Sequence, residues 1–97
     1  MYNTYYLMPK YDSRASFYNK AMVIENNGVK TLYSYLVPVC QVKEDGCFVL
    51  GAKWDSSSTT LRHVKEFMKQ HGCKVDCKKD IEKYIECNSK AYDESMS

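Results

Sequence analysis

No stretch of these 97 residues approaches the roughly 18 consecutive apolar residues that a membrane-spanning helix needs. The opening segment, MYNTYYLMPKYDSR, lacks the basic leader, apolar run and small-residue cleavage site of a secretory signal. The expected location is therefore cytoplasmic, with no membrane partner. There is no Gly-rich phosphate loop and no G-x-S-x-G elbow. Neither C-x2-C nor H-x3-H occurs. No acid–base or nucleophile constellation is complete, so the chain is expected not to be an enzyme. Excess charge is also scarce. A formal net charge of +2 neither demands nor excludes a nucleic-acid partner.

What is present fits one small globular domain. Hydrophobic residues make up 44% and charged residues 27%, which is ordinary for such chains. Nine tyrosines stand out, five of them (Tyr2, Tyr5, Tyr6, Tyr11, Tyr18) in the first eighteen residues. They suit strand edges and equally a partner-binding surface. Five cysteines (Cys40, Cys47, Cys73, Cys77, Cys87) are an odd number, which argues against a disulfide framework.

The pattern along the chain reads as strands, then helices. A Tyr-rich segment, 1–14, holds a short edge strand, TYYLM, stopped by Pro9. SFYNKAMVIE alternates as a strand, Asn27-Gly28 supplies a two-residue hairpin turn, and VKTLYSYLVPVCQVK returns as one strand. That register sets Val23 opposite Leu32 and Met22 opposite Tyr33. Pro38 interrupts the ladder or marks an edge. A second hairpin at Asp45-Gly46 places Val42 across from Val49. The sheet region is 15–54. Residues 57–88 read as two helices. In the first, Leu61, Val64, Phe67, Met68 and His71 form an apolar face. Arg62, Lys65, Glu66 and Lys69 cover its solvent side, and Gly72 ends it. In the second, Asp76 is the expected cap and Ile81, Tyr84 and Ile85 the buried stripe. Residues 89–97 read as a flexible tail. The expected fold is α+β: a small antiparallel three- to four-stranded sheet with two helices packed on one face.

Two stretches carry candidate chemistry. HGCKVDC places His71, Cys73 and Cys77 at a helix end and in the following connection. Three readings compete: a structural zinc site, plain buried residues with a capping histidine, and a redox pair with unusual spacing. A fourth ligand is hard to place. Ten residues of continuous helix would separate Cys77 from Cys87 by ~15 Å, and Cys40, Cys47, His63 or water are the alternatives. The second stretch, WDSSSTTLRH, opens a helix with hydroxyls. Unpaired amides and the helix dipole attract anions there. Thr59, Thr60, Arg62, His63, Lys65 and Lys69 are the candidate partner- or anion-binding residues, and ordinary capping by Ser58 is the plainer alternative.

Tyr33-Ser34-Tyr35, Trp54, Ser56, Thr59-Thr60, Arg62-His63 and Phe67 together form a distinctive pattern. Over about residues 16–72 it resembles a family of short proteins of unknown function encoded by phages of Gram-positive bacteria. The resemblance implies a non-enzymatic interaction protein. Anti-CRISPR proteins are similar in size and in lacking catalytic motifs. Inhibition of a host defence nuclease by direct binding, with Cas9 as a candidate partner, is accordingly expected. The alternative is a small nucleic-acid-binding regulator that contacts phosphates through the Ser/Thr-Arg-His helix start.

Overall fold

The computed structural model describes residues 2–10, 12, 16–17, 19–44, 46–87 and 92–93. Five antiparallel strands run as a meander: β1 (Tyr2–Tyr6), β2 (Ala21–Asn26), β3 (Val29–Ser34), β4 (Val37–Val42) and β5 (Phe48–Gly51). Two helices follow, α1 (Ser58–Gln70) and α2 (Lys78–Cys87). A two-residue strand, β6 (Tyr92–Asp93), then pairs in parallel with Leu50–Gly51 of β5. The fold is α+β, with five antiparallel strands where three to four were expected.

The extra strand comes from a turn that the residues do not advertise. VKTLYSYLVPVCQVK is broken at Tyr35-Leu36, which take φ of 53° and 68°. Two consecutive left-handed residues make the hairpin turn that matches strand twist, and the usual occupants are Asn and Gly. The Asn27-Gly28 turn, at φ 54° and 81°, is the conventional version, and there Val23 faces Leu32 and Met22 faces Tyr33 as expected. The next hairpin differs by one residue. Lys43 N–H bonds Cys47 O at 2.9 Å, so three residues form the loop and Val42 pairs with Phe48, not Val49. A shift of one residue exchanges the faces: Phe48 joins the core cluster, Cys40 is buried and Cys47 is exposed.

Pro38 sits at a register break between β3 and β4. The bulge leaves Val39 as the extra residue between Pro38 and Cys40, and both Val39 and Cys40 are buried. A missing N–H is tolerated at such a bulge. Across the sheet, Val23, Leu32, Cys40 and Leu50 stand in register as one row, each fully buried. Val64, Phe67 and Met68 from α1 and Ile81 from α2 join the same core. Phe48 meets Phe67 edge to face at 6.5 Å. The side chains of Tyr84 and Ile85, the rest of the expected α2 stripe, lie outside the described residues, as does most of the expected tail.

Glu66, expected on the solvent side, is buried. Its carboxylate accepts the Asp12 N–H at 3.0 Å and Gln70 Nε2 at 2.6 Å, and Gln70 also donates to Met8 O at 2.7 Å. The acid is drawn inward because it satisfies a backbone N–H of the segment joining β1 to β2 and the Gln70 amide of its own helix, as a buried charge must. Among the described residues no helix is long and apolar enough to cross a membrane.

Candidate binding pocket at the start of the first helix

The pocket is built from the helix start outward. Ser57, not Ser58, is the N-cap of α1, with extended backbone at φ −153°. Its Oγ accepts the Thr60 N–H at 3.1 Å, which satisfies one of the orphan amides of the first turn. The Ser57 hydroxyl also donates to Thr60 Oγ1 at 3.1 Å. Thr60 is thereby turned inward, where Ser34, the last residue of β3, donates to the same oxygen at 3.1 Å. One turn along the helix, Nδ1 of His63 lies 2.8 Å from Ser34 Oγ. Ser34, Thr60 and His63 are all buried. Because Ser34 gives its hydrogen to Thr60, its oxygen is left to accept from Nδ1–H. That assignment leaves Nε2 of His63 as the lone-pair nitrogen. Nε2 is buried and has no hydrogen-bond partner among the described residues.

A pocket of about 320 Å³ lies over this ring, lined by Ser16, Phe17, Lys20, Tyr35, Thr59, Arg62 and His63. Phe17 meets the imidazole edge to face at 4.7 Å, and Tyr35 lies tilted to it at 6.0 Å. Arg62 is held by Asp12, Nη1 to Oδ1 at 3.1 Å. Burial depresses the His63 pKa to about 4, against a smaller opposing pull from Asp12, so the ring is neutral at physiological pH. The segment carrying Ser16 and Phe17 is fixed to α1 through the Met8–Gln70–Glu66–Asp12–Arg62 chain of polar contacts.

Of the candidate partner- or anion-binding residues, Thr59, Arg62 and His63 meet in this pocket. Thr60 is buried beneath it. Lys65 and Lys69 turn elsewhere: Lys65 Nζ reaches Asp76 O at 3.4 Å, and Lys69 Nζ reaches the Asp76 carboxylate at 3.4 Å. Ser34, Phe17, Lys20 and Tyr35 are the additions that the helix start alone could not reveal. Two of them, Ser34 and Tyr35, do lie in the Tyr-Ser-Tyr stretch of the sequence pattern.

His71, Cys73 and Cys77 lie at the end of α1 and on the approach to α2. Gly72 takes φ +90°. Its N–H bonds Lys69 O at 3.0 Å, and Cys73 N–H bonds Met68 O at 3.0 Å. These two bonds make a Schellman motif. Cys73, the residue after the glycine, packs against the core, which supplies the apolar contact that usually accompanies the motif. His71 Nδ1 lies 2.8 Å from Phe67 O, with its ring against Phe67 and Phe48. Cys77, not Asp76, directly precedes α2. The Asp80 carboxylate reaches back to the N–H groups of Asp76 at 2.9 Å and Cys77 at 3.4 Å, bonds that hold its pKa below the usual value. Burial raises the thiol pKa of both Cys40 and Cys73, and for Cys40 the neighbouring Cys73 adds to it. Among the described residues no three of His, Cys, Asp and Glu stand together as a metal-holding group. The side chain of Cys87 lies outside them.

Residues 5–83 match a family of unknown function, DUF8033. The chain belongs to that family. The DUF8033 match runs from β1 into α2 and contains every residue that lines the pocket. No curated protein and no solved structure matches the chain.

Proposed function

We propose that this DUF8033 protein is a non-enzymatic interaction module that grips a protein partner with the Tyr35–Leu36 tip and the pocket beside it. The observation that carries this reading is the tip itself. Leu36 is 81% and Tyr35 50% exposed, on a turn whose left-handed backbone is costly for side chains of that size. Strain that holds large apolar groups in water points to a role at a contact surface. Burying one such side chain at an interface contributes about 1.5–3 kcal/mol. Tyr6 and Met8, also exposed, add apolar surface on the edge strand and just after it.

The finer reading makes the partner a host defence nuclease, with Cas9 as the candidate, and the chain a phage-borne, anti-CRISPR-like inhibitor acting in the host cytoplasm. Its support is the small single domain and the resemblance in the Tyr-Ser-Tyr and Thr-Thr-x-Arg-His stretches. The nucleic-acid alternative draws less support, because Arg62, Lys65 and Lys69 are engaged by Asp12 and Asp76. Phosphate contacts would have to displace those partners.

The test is cleavage by a panel of purified RNA-guided nucleases, Cas9 among them, with wild-type protein and with Leu36→Gly. Inhibition by the wild type together with a stable complex, both weakened at least about tenfold in the variant, is expected. Undiminished cleavage and no complex across the panel would overturn the nuclease reading. A salt-sensitive shift of labelled DNA or RNA would favour the regulator.

A further inference from the structure

We infer that the pocket over His63 is a socket for one planar aromatic side chain of a protein partner, a tyrosine or tryptophan, whose O–H or N–H donates to His63 Nε2. This rests on the interaction reading above and specifies what the partner must present.

Four observations converge. First, Nδ1 is committed to Ser34, and with Ser34 donating to Thr60 the Nδ1–H tautomer completes the chain of bonds. The imidazole therefore offers an acceptor at Nε2. Second, that acceptor is buried with no partner among the described residues. Leaving such a group unsatisfied costs about 1–3 kcal/mol, a cost that an incoming donor removes. Ser34 and Thr60 do not line the pocket whereas His63 does. Third, Phe17 and Tyr35 supply aromatic walls around the imidazole, and rings stack or meet edge to face in such settings. At about 320 Å³ the space lies near the small end of ligand pockets, enough for one ring system. Fourth, Lys20 and Arg62 also line it. Their positive charge opposes a lysine or arginine as the donor and selects a neutral one. A nucleobase shares the planar donor chemistry. It would bring phosphates, though, to a face where Arg62 already holds Asp12.

The test is an NMR titration of the intact chain, reading the His63 ring nitrogens, with p-cresol and indole as side-chain analogues, toluene as a ring without a donor, and adenosine. The unliganded protein is expected to show Nδ1 protonated and Nε2 bare. p-Cresol or indole is expected to shift Nε2 and to bind about fivefold or more tightly than toluene, the worth of one hydrogen bond of about 1 kcal/mol. Ser34 acts as a positioning residue. In Ser34→Ala the tautomer is released, and the preference for donor rings over toluene should fall away while toluene still binds. Equal binding of toluene and p-cresol, or an Nε2 resonance that never moves, overturns the inference. Tighter binding of adenosine with the same Nε2 shift overturns it in favour of a nucleobase. The two readings fail separately. A Leu36-dependent nuclease complex with silent p-cresol removes the socket alone. p-Cresol on Nε2 with no nuclease complex removes the nuclease reading alone.

Discussion

Ser34 Oγ, at the end of β3, lies 2.8 Å from Nδ1 of His63, in the second turn of α1, and this contact locks the sheet to the helix at the floor of the pocket. Removing the hydroxyl leaves a buried Nδ1–H without its acceptor. Ser34→Ala is expected to lower stability by about 1–3 kcal/mol, read as a drop in the denaturant midpoint with an unchanged slope. A shift within a few tenths of a kcal/mol would mean that the pair contributes nothing net.

Stability should also depend on pH in a defined window. His63 titrates near 4 in the folded protein and near 6.5 when unfolded. Between those values the unfolded chain takes up a proton that the folded one refuses, so stability falls as pH drops from about 6.5 to 4 and is flat just above 7. The loss is on the order of 2–3 kcal/mol at the acid end. Around the ring, burial opposes protonation and Asp12 favours it; Lys20 and Arg62 line the same pocket. Asp80, whose pKa is lowered, loses its contribution only below the ordinary carboxylate range, outside this window. Urea midpoints at closely spaced pH values, with the His63 ring followed by NMR, check it. A charged His63 at pH 6 would contradict the burial argument.

The Tyr35-Leu36 turn sets stability against contact. Tyr35→Asn with Leu36→Gly installs the residues that such a turn prefers and should raise stability by about 1–2 kcal/mol. The same variant should lose partner binding. A double variant that is less stable than wild type would show that Tyr35 packs on His63 strongly enough to outweigh the turn strain.

Zinc is decided by metal analysis. The Schellman turn and the α2 start occupy His71, Cys73 and Cys77 as described, and a zinc ion would need them to converge. Elemental mass spectrometry of purified protein is expected to find well under one zinc per chain, and chelator is expected to leave the melting temperature unchanged. One zinc per chain, with melting lowered by chelator, would establish the structural site and require residues 71–77 to rearrange around it.

The elements that could be read from sequence are those whose local chemistry is unambiguous. Asn27-Gly28 supplies the residues its turn demands, so the register of β2 on β3 follows to the residue. The periodic face from Leu61 to Met68 gives α1, and Gly72 gives its end. Tyr35-Leu36 has no such signal, because tyrosine and leucine are poor turn residues, and one expected strand became two. The loop after β4 took three residues instead of two, which moved Val49 out of register with Val42. The pocket was half legible: Thr59, Arg62 and His63 lie within one short stretch of sequence, but Ser34 lies 29 residues from His63, and only the fold shows that they touch. The cysteine–histidine stretch reads two ways because a helix-ending turn and a metal loop draw on the same small, bend-tolerant residues.

The meander has a consequence for how the chain reaches this state. Each of the five antiparallel strands lies beside its neighbour in sequence, so every antiparallel pairing after β1–β2 closes a loop of only a few residues, and such contacts form early at small entropic cost. A chain emerging from the ribosome can lay down β2, β3, β4 and β5 in order, each against a strand already made. The pocket cannot form on that schedule. His63 comes from the helix that follows the last of these strands, so its docking onto Ser34, and with it the pocket, waits until the strands are laid down.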